Sequence, residues 1–138
     1  MVTARPASTP GEAGITSKRA PGSVADTVDR LIELVEARDM MVFAIVDHSG
    51  EAERHGLELR ETKVVIFGSP TAGTPVMQAA PLAALDLPLK VLVWDDDGQT
   101  VVSYTDPGVL AERHHLGAEL ASRLAGIGPL TDALTGTG

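Results

Sequence analysis

The chain has 138 residues, 43% of them hydrophobic and only 3% aromatic, with 11 basic against 19 acidic side chains and a net charge of −8. That length fits one domain, and the hydrophobic share is too high for a disordered chain. The absence of cysteine excludes disulfides, thiolate nucleophiles and cysteine-held zinc or iron–sulfur centres, while acidic balance and scarce aromatics argue against nucleic acid and anionic membranes as partners.

Residues 1–13 carry Pro6, Ser8, Thr9, Pro10 and Gly11 with few bulky side chains and read as a disordered tail. They hold no apolar signal segment, so residues 14–138 are expected to form a single cytoplasmic domain. Ile15–Lys18 reads as a short strand, ended by the Pro21-Gly22 turn. Ser23 then caps a helix, with Asp26 three residues on. Val24, Val28, Leu31, Ile32 and Val35 give it an apolar stripe, and it should end near Arg38.

Met40–Val46 is an almost unbroken apolar strand, which implies burial on both faces or a contact with a second subunit. After Asp47-His48, Ser49 is expected to cap a short helix with Glu51 and Glu53 in its first turn. Gly56 stops that helix, with Leu57 folding back on it. Lys63–Phe67 is a further strand, running into a loop from Gly68 to Pro75 that holds two Gly and two Pro. Thr74-Pro75 reads as cap and first residue of a helix through Met77, with a second helical piece at Leu82–Leu85. Leu89–Trp94 and Gln99–Tyr104 form a hairpin about Asp97-Gly98. Asp106-Pro107 opens another helix. Leu116, Leu120, Leu124 and Ile127 stripe a last long one that stops at Gly128-Pro129, with Leu130 and Leu134 extending it one turn. The order predicts an α/β fold: a two-layer sandwich with a single mixed sheet of about five strands and helices packed on one face.

Catalytic motifs are weak. Gly68 and Gly73 have the spacing of a phosphate loop, but Thr74-Pro75 stands where Lys-Ser/Thr is needed, and proline removes a backbone donor. His114-His115 are adjacent and cannot converge on one metal from a helix. Asp95-Asp96-Asp97 lacks the rest of a calcium loop and reads as a solvated turn. Ser49 and Ser69 have no nucleophile-elbow context. Asp47 beside His48 can orient an imidazole or line a turn, and Tyr104 ends a strand where its hydroxyl reaches either a pocket or the sheet rim. No catalytic residue, metal ligand set or cofactor site is assigned.

From Asp47-His48 through Gly56-Leu57-Glu58-Leu59-Arg60, Ile66-Phe67-Gly68-Ser69-Pro70, Ala72-Gly73-Thr74-Pro75 and Pro81–Pro88 the chain resembles bacterial family 302 of domains of unknown function (DUF302). Val93-Trp94, Ser103-Tyr104 and Ala111–His114 continue the likeness, which covers Ile15 to Leu134. The family places Asn where this chain has Ser69. The resemblance implies a two-layer α/β domain, often dimeric, with no settled reaction. Its shared motif positions fall on Asp47, His48, Gly68, Pro70, Gly73, Thr74 and Tyr104.

The reading that follows is a small-ligand-binding module. Its pocket is expected where strand ends bring Asp47, His48, Gly68, Ser69, Pro70, Gly73, Thr74 and Tyr104 together. Two alternatives stand beside it: a structural domain that dimerises through its sheet or sheet edge, and an enzyme or metal- or haem-binding protein that depends on His48.

Overall fold

The computed structural model describes residues 12–136, so the predicted disorder of the tail lies outside the described residues up to position 11, and Glu12–Gly14 form a single 3-10 turn. Five strands follow: β1 (Ile15–Ala20), β2 (Met41–Asp47), β3 (Thr62–Gly68), β4 (Leu89–Asp96) and β5 (Gln99–Thr105). Six α-helices accompany them: α1 (Val24–Ala37), α2 (His48–Arg54), α3 (Pro70–Ala79), α4 (Pro107–Arg113), α5 (Ala118–Ser122) and α6 (Ile127–Thr135). A 3-10 segment, Pro81–Leu85, links α3 to β4.

The strands form one sheet in the order β1-β5-β4-β3-β2. The two-layer, five-stranded α/β fold is as expected, but the sheet is antiparallel at every pairing rather than mixed. β1 and β2 do run the same way, as a strand–helix–strand crossover requires. α1, however, carries the chain across the whole sheet, so three strands separate them.

Local chemistry sets the elements. The Ser23 hydroxyl accepts from the Asp26 N–H at 3.0 Å and starts α1. Its stripe Val24, Val28, Leu31 and Val35 is buried against Val65, Phe67, Val91, Val93 and Val102 of the sheet. Asp97 and Gly98 both have positive φ (51° and 91°), the turn that matches strand twist in a two-residue hairpin. The Asp95 carboxylate accepts from the Gly98 N–H at 3.0 Å, so the Asp95–Asp97 run is turn chemistry.

Three local expectations change. Asp47, not Ser49, caps α2, accepting from the Gly50 N–H at 2.9 Å. Gly56 is left-handed, with φ 73°, but Leu57 remains 65% exposed instead of folding back. The long C-terminal helix is two helices, α5 and α6. Pro129 lies in the first turn of α6, where a missing N–H costs no hydrogen bond, so Gly128-Pro129 opens a helix rather than closing one.

α6 is fixed to β1 by a buried ion. The Lys18 side chain is 1% exposed, and its ammonium lies 2.8 Å from the Asp132 carboxylate. It donates to Thr131 Oγ1 at 2.7 Å and to the Gly128 carbonyl at 3.1 Å, and sits 5.2 Å from the centre of the Tyr104 ring. A buried ammonium is tolerated only when its protons are matched in this way. Thr131→Val keeps the volume and removes one acceptor. It is expected to lower the free energy of unfolding by about 2 kcal/mol, the scale of a hydrogen bond to a charged group, in urea denaturation.

Candidate functional site: an apolar cavity beside helix α3

Register decides which predicted site residues meet. Met41 stands opposite Gly68, whereas Asp47 stands opposite Lys63. At a rise of about 3.3 Å per residue, the Asp47-His48 turn is therefore roughly 16 Å along the sheet from Gly68. The predicted convergence of Asp47-His48, the glycine–proline loop and Tyr104 does not occur. In an antiparallel pair the ends of successive strands lie at opposite rims, and Asp47 and Gly68 each end their strands.

Asp47 is engaged in folding. Its Oδ1 accepts from the Ser49 hydroxyl at 2.9 Å as well as from Gly50, and Ser49 Oγ in turn accepts from the Thr62 N–H at 3.1 Å. The Gly50 N–H and then the Ser49 hydroxyl hold the Asp47 carboxyl below its ordinary pKa. A Cβ at Gly50 would collide with that carboxylate. His48 is the exposed first residue of α2. This end of the molecule carries a polar depression of about 450 Å³ bordered by Asp47, Glu53, Glu58, Glu61 and Lys63. Among the described residues no group of three or more His, Asp or Glu side chains is placed to hold a metal ion. Tyr104 is buried in the core under Lys18.

The other five predicted residues do meet. Gly68, Ser69, Pro70, Gly73 and Thr74 line a cavity of about 290 Å³ between the end of β3, the start of α3 and the turn into α6. The expected Gly68–Pro75 loop is itself mostly helix. Ser69 caps α3, accepting from the Ala72 N–H at 3.3 Å, and Pro70 takes the first helical position. Thr74-Pro75, which looked like a helix start, therefore falls inside α3.

Pro75 has no N–H to give to the carbonyl four residues back, Thr71. That carbonyl instead accepts from Arg123 Nη1 at 3.5 Å. Arg123 thus ties α5 to the first turn of α3 at the cavity, while its Nε and Nη2 hold Glu119 at 3.0 and 2.8 Å. Local patterning gives no hint of Arg123, nor of Met40, Phe43, Leu87, Pro88, Leu89, Leu124 and Ile127, which add to the lining. They come from three separate segments. The one signal that bears on Arg123 is an internal proline, which predicts an orphan carbonyl without saying what fills it.

The wall at Leu87–Leu89 is braced from behind. Asp86 pairs with His114 Nε2 at 2.6 Å and with Arg113 Nη1 at 3.1 Å. The His114 hydrogen bond first, and the Arg113 guanidinium after it, lower the Asp86 pKa from its ordinary 3.8. The bond therefore stabilises the fold fully above the unfolded-state value, and that stabilisation is lost as pH falls through the lower folded-state value.

The fold and cavity describe a small two-layer α/β domain with an antiparallel sheet and a mainly apolar pocket at one rim. The chain belongs to the family described as "Domain of unknown function DUF302", whose profile matches residues 15–128. It is 38% identical over 128 residues to a protein named "Fluoride-specific ion channel FluC 1" of Brucella suis biovar 1 (strain 1330), covering 92% of this chain and 48% of that one. It is equally similar to the FluC 1 of Brucella abortus biovar 1 (strain 9-941), of which 45% is covered. The chain thus spans about half the length of the curated relatives it matches. Among solved structures, that of an uncharacterized conserved DUF302 protein from Bacillus stearothermophilus matches with a TM-score of 0.77 at 17% identity, covering 91% of this chain and 98% of that one. No helix among the described residues is long and apolar enough to cross a membrane.

Asp86→Asn is expected to cost about 1 kcal/mol of stability at pH 7, the scale of one hydrogen bond. Denaturant titrations of both proteins across the acid range should show the gap closing as pH drops below 3.8.

Proposed function

We propose that this domain binds a small, largely apolar molecule in the cavity beside α3. The observation that carries the reading is the cavity itself. It has about 290 Å³ of space lined by Met40, Phe43, Phe67, Met77, Leu89 and Ile127, with the Ser69 and Thr74 side chains for orientation. Such apolar clefts with a few polar groups are the usual form of small-molecule sites, and an apolar cavity of about half this volume is enough for benzene. His48 and Tyr104 take no part in this reading.

The relatives fit an accessory role. If the part of each FluC-named protein outside the match carries its ion channel, in keeping with the lack of a spanning helix among this chain's described residues, the matched part is left for another task. A ligand-responsive domain sharing a chain with such a part is a sensible arrangement, and this chain is the counterpart of that domain.

Gly73 offers the test. It lines the cavity from inside α3, its φ is not positive, and a Cβ there would make only ordinary contacts with Met77 and Leu87. Gly73→Ala should therefore stabilise the helix by about 0.5–1 kcal/mol, while Gly73→Leu fills the space. With 1-octanol as probe, the native protein is expected to gain several degrees in melting temperature, as any ligand selective for the folded state confers. Gly73→Leu should gain none. No response in the native protein, or an equal response in both, would end this reading.

A second reading, homodimerisation, has its own observation. α1 and α6 cover one face of the sheet. On the other, Ile15, Val64, Ile66, Leu92, Trp94 and Val101 follow the alternate register and join neither apolar cluster of the core. Beside them the edge strand β2 adds Met41, paired with Gly68 in the same register and nearly half exposed. The face is largely apolar but also carries Arg19, opposite Val101, and Lys90, opposite Ile66, and another copy supplies a second apolar face to cover it. Sedimentation velocity at micromolar concentration should give a dimer for the native chain and a monomer for Leu92→Lys. A native monomer would remove the reading.

A further inference from the structure

Resting on the cavity reading above, we infer that the ligand is an amphipathic monocarboxylate, its chain inside the cavity and its carboxylate on Arg123. Among the described residues that line the cavity Arg123 is the single ionisable side chain, so the lining presents one positive charge on a chain of net charge −8. Its guanidinium is held at the site by a backbone cause, the Thr71 carbonyl that Pro75 leaves without a helical donor. Its other partner, Glu119, is 70% exposed. An ion pair so open to water is weak and exchanges readily for another carboxylate, and guanidinium is the side-chain group best matched to a carboxylate's two oxygens.

The remaining lining shapes the rest of the ligand. Phe43, Met77, Leu87 and Ile127 offer no hydrogen bond, so a second charge or a sugar-like chain would lose its hydration without compensation. One head and one apolar chain satisfy both parts. A cationic head meets repulsion at Arg123, and a neutral head meets indifference.

Octanoate, 1-octanol and octylamine share one chain and differ in head group. Isothermal titration should rank octanoate about tenfold or more above octylamine, the effect of a single well-placed charge pair. Arg123→Gln should erase that preference, bringing octanoate and octylamine to equal affinity. Should that variant fold poorly, added salt provides a second measure on the native protein: it should weaken octanoate and leave 1-octanol unaffected. Binding of 1-octanol with no preference for octanoate over octylamine would overturn the inference and leave the cavity reading standing. Failure of all three probes would overturn both.

Discussion

The ammonium of Lys18 is the constraint around which this structure is arranged. A charged group 1% exposed demands several acceptors at once, and they all come from α6: a carbonyl, a hydroxyl and a carboxylate within one and a half turns. Meeting that demand fixes where α6 begins. Its first residue, Ile127, is both a core residue and a wall of the cavity. Apolar packing alone would let a short helix slide along a flat sheet, because hydrophobic burial has no direction. The matched ammonium supplies direction, and the cavity inherits its geometry from it.

The cavity is then a by-product of how two apolar clusters meet. The larger lies between α1, α6 and the sheet. The smaller gathers Val76, Ala83, Leu110 and Leu124 from α3, the 3-10 segment, α4 and the turn between α5 and α6. Leu89 packs against both, and the space beside it stays unfilled because Gly73 brings no side chain to the seam. Short elements enclose it, so its shape depends on braces such as Asp86 with His114 and Arg113 more than on any one long helix.

Much of the fold was legible in the sequence because its signals are local. Ser23 with its apolar stripe, and Asp97-Gly98 between two apolar runs, each set a structure within a few residues. Part of the cavity lining was legible for the same reason: Gly68 to Thr74 are neighbours in the chain. What was not legible is what register decides. Nothing near Asp47-His48 says that β2 pairs antiparallel with β3, and this one fact moves that turn to the far rim. Pro75 misled because a proline after threonine resembles a helix start. Here a real start stood five residues earlier at Ser69-Pro70, and a distant arginine compensates for the lost donor. The apolar β2 run suggested burial on both faces or a contact with a second subunit; within the chain it is an edge, because α1 carries the chain past every other position in the sheet.

That edge has a further property. Between Val42 and Ala44 the pairing slips by one residue, so Phe43 has no partner on β3. A bulge of this kind changes the phase of the exposed backbone groups halfway along the strand. An incoming extended chain can zip onto one half of β2 in register, but only by falling out of register on the other. The most apolar stretch of the sequence thus sits at a border where strand-by-strand growth is frustrated, which works against fibril seeding from the greasy side chains at that rim.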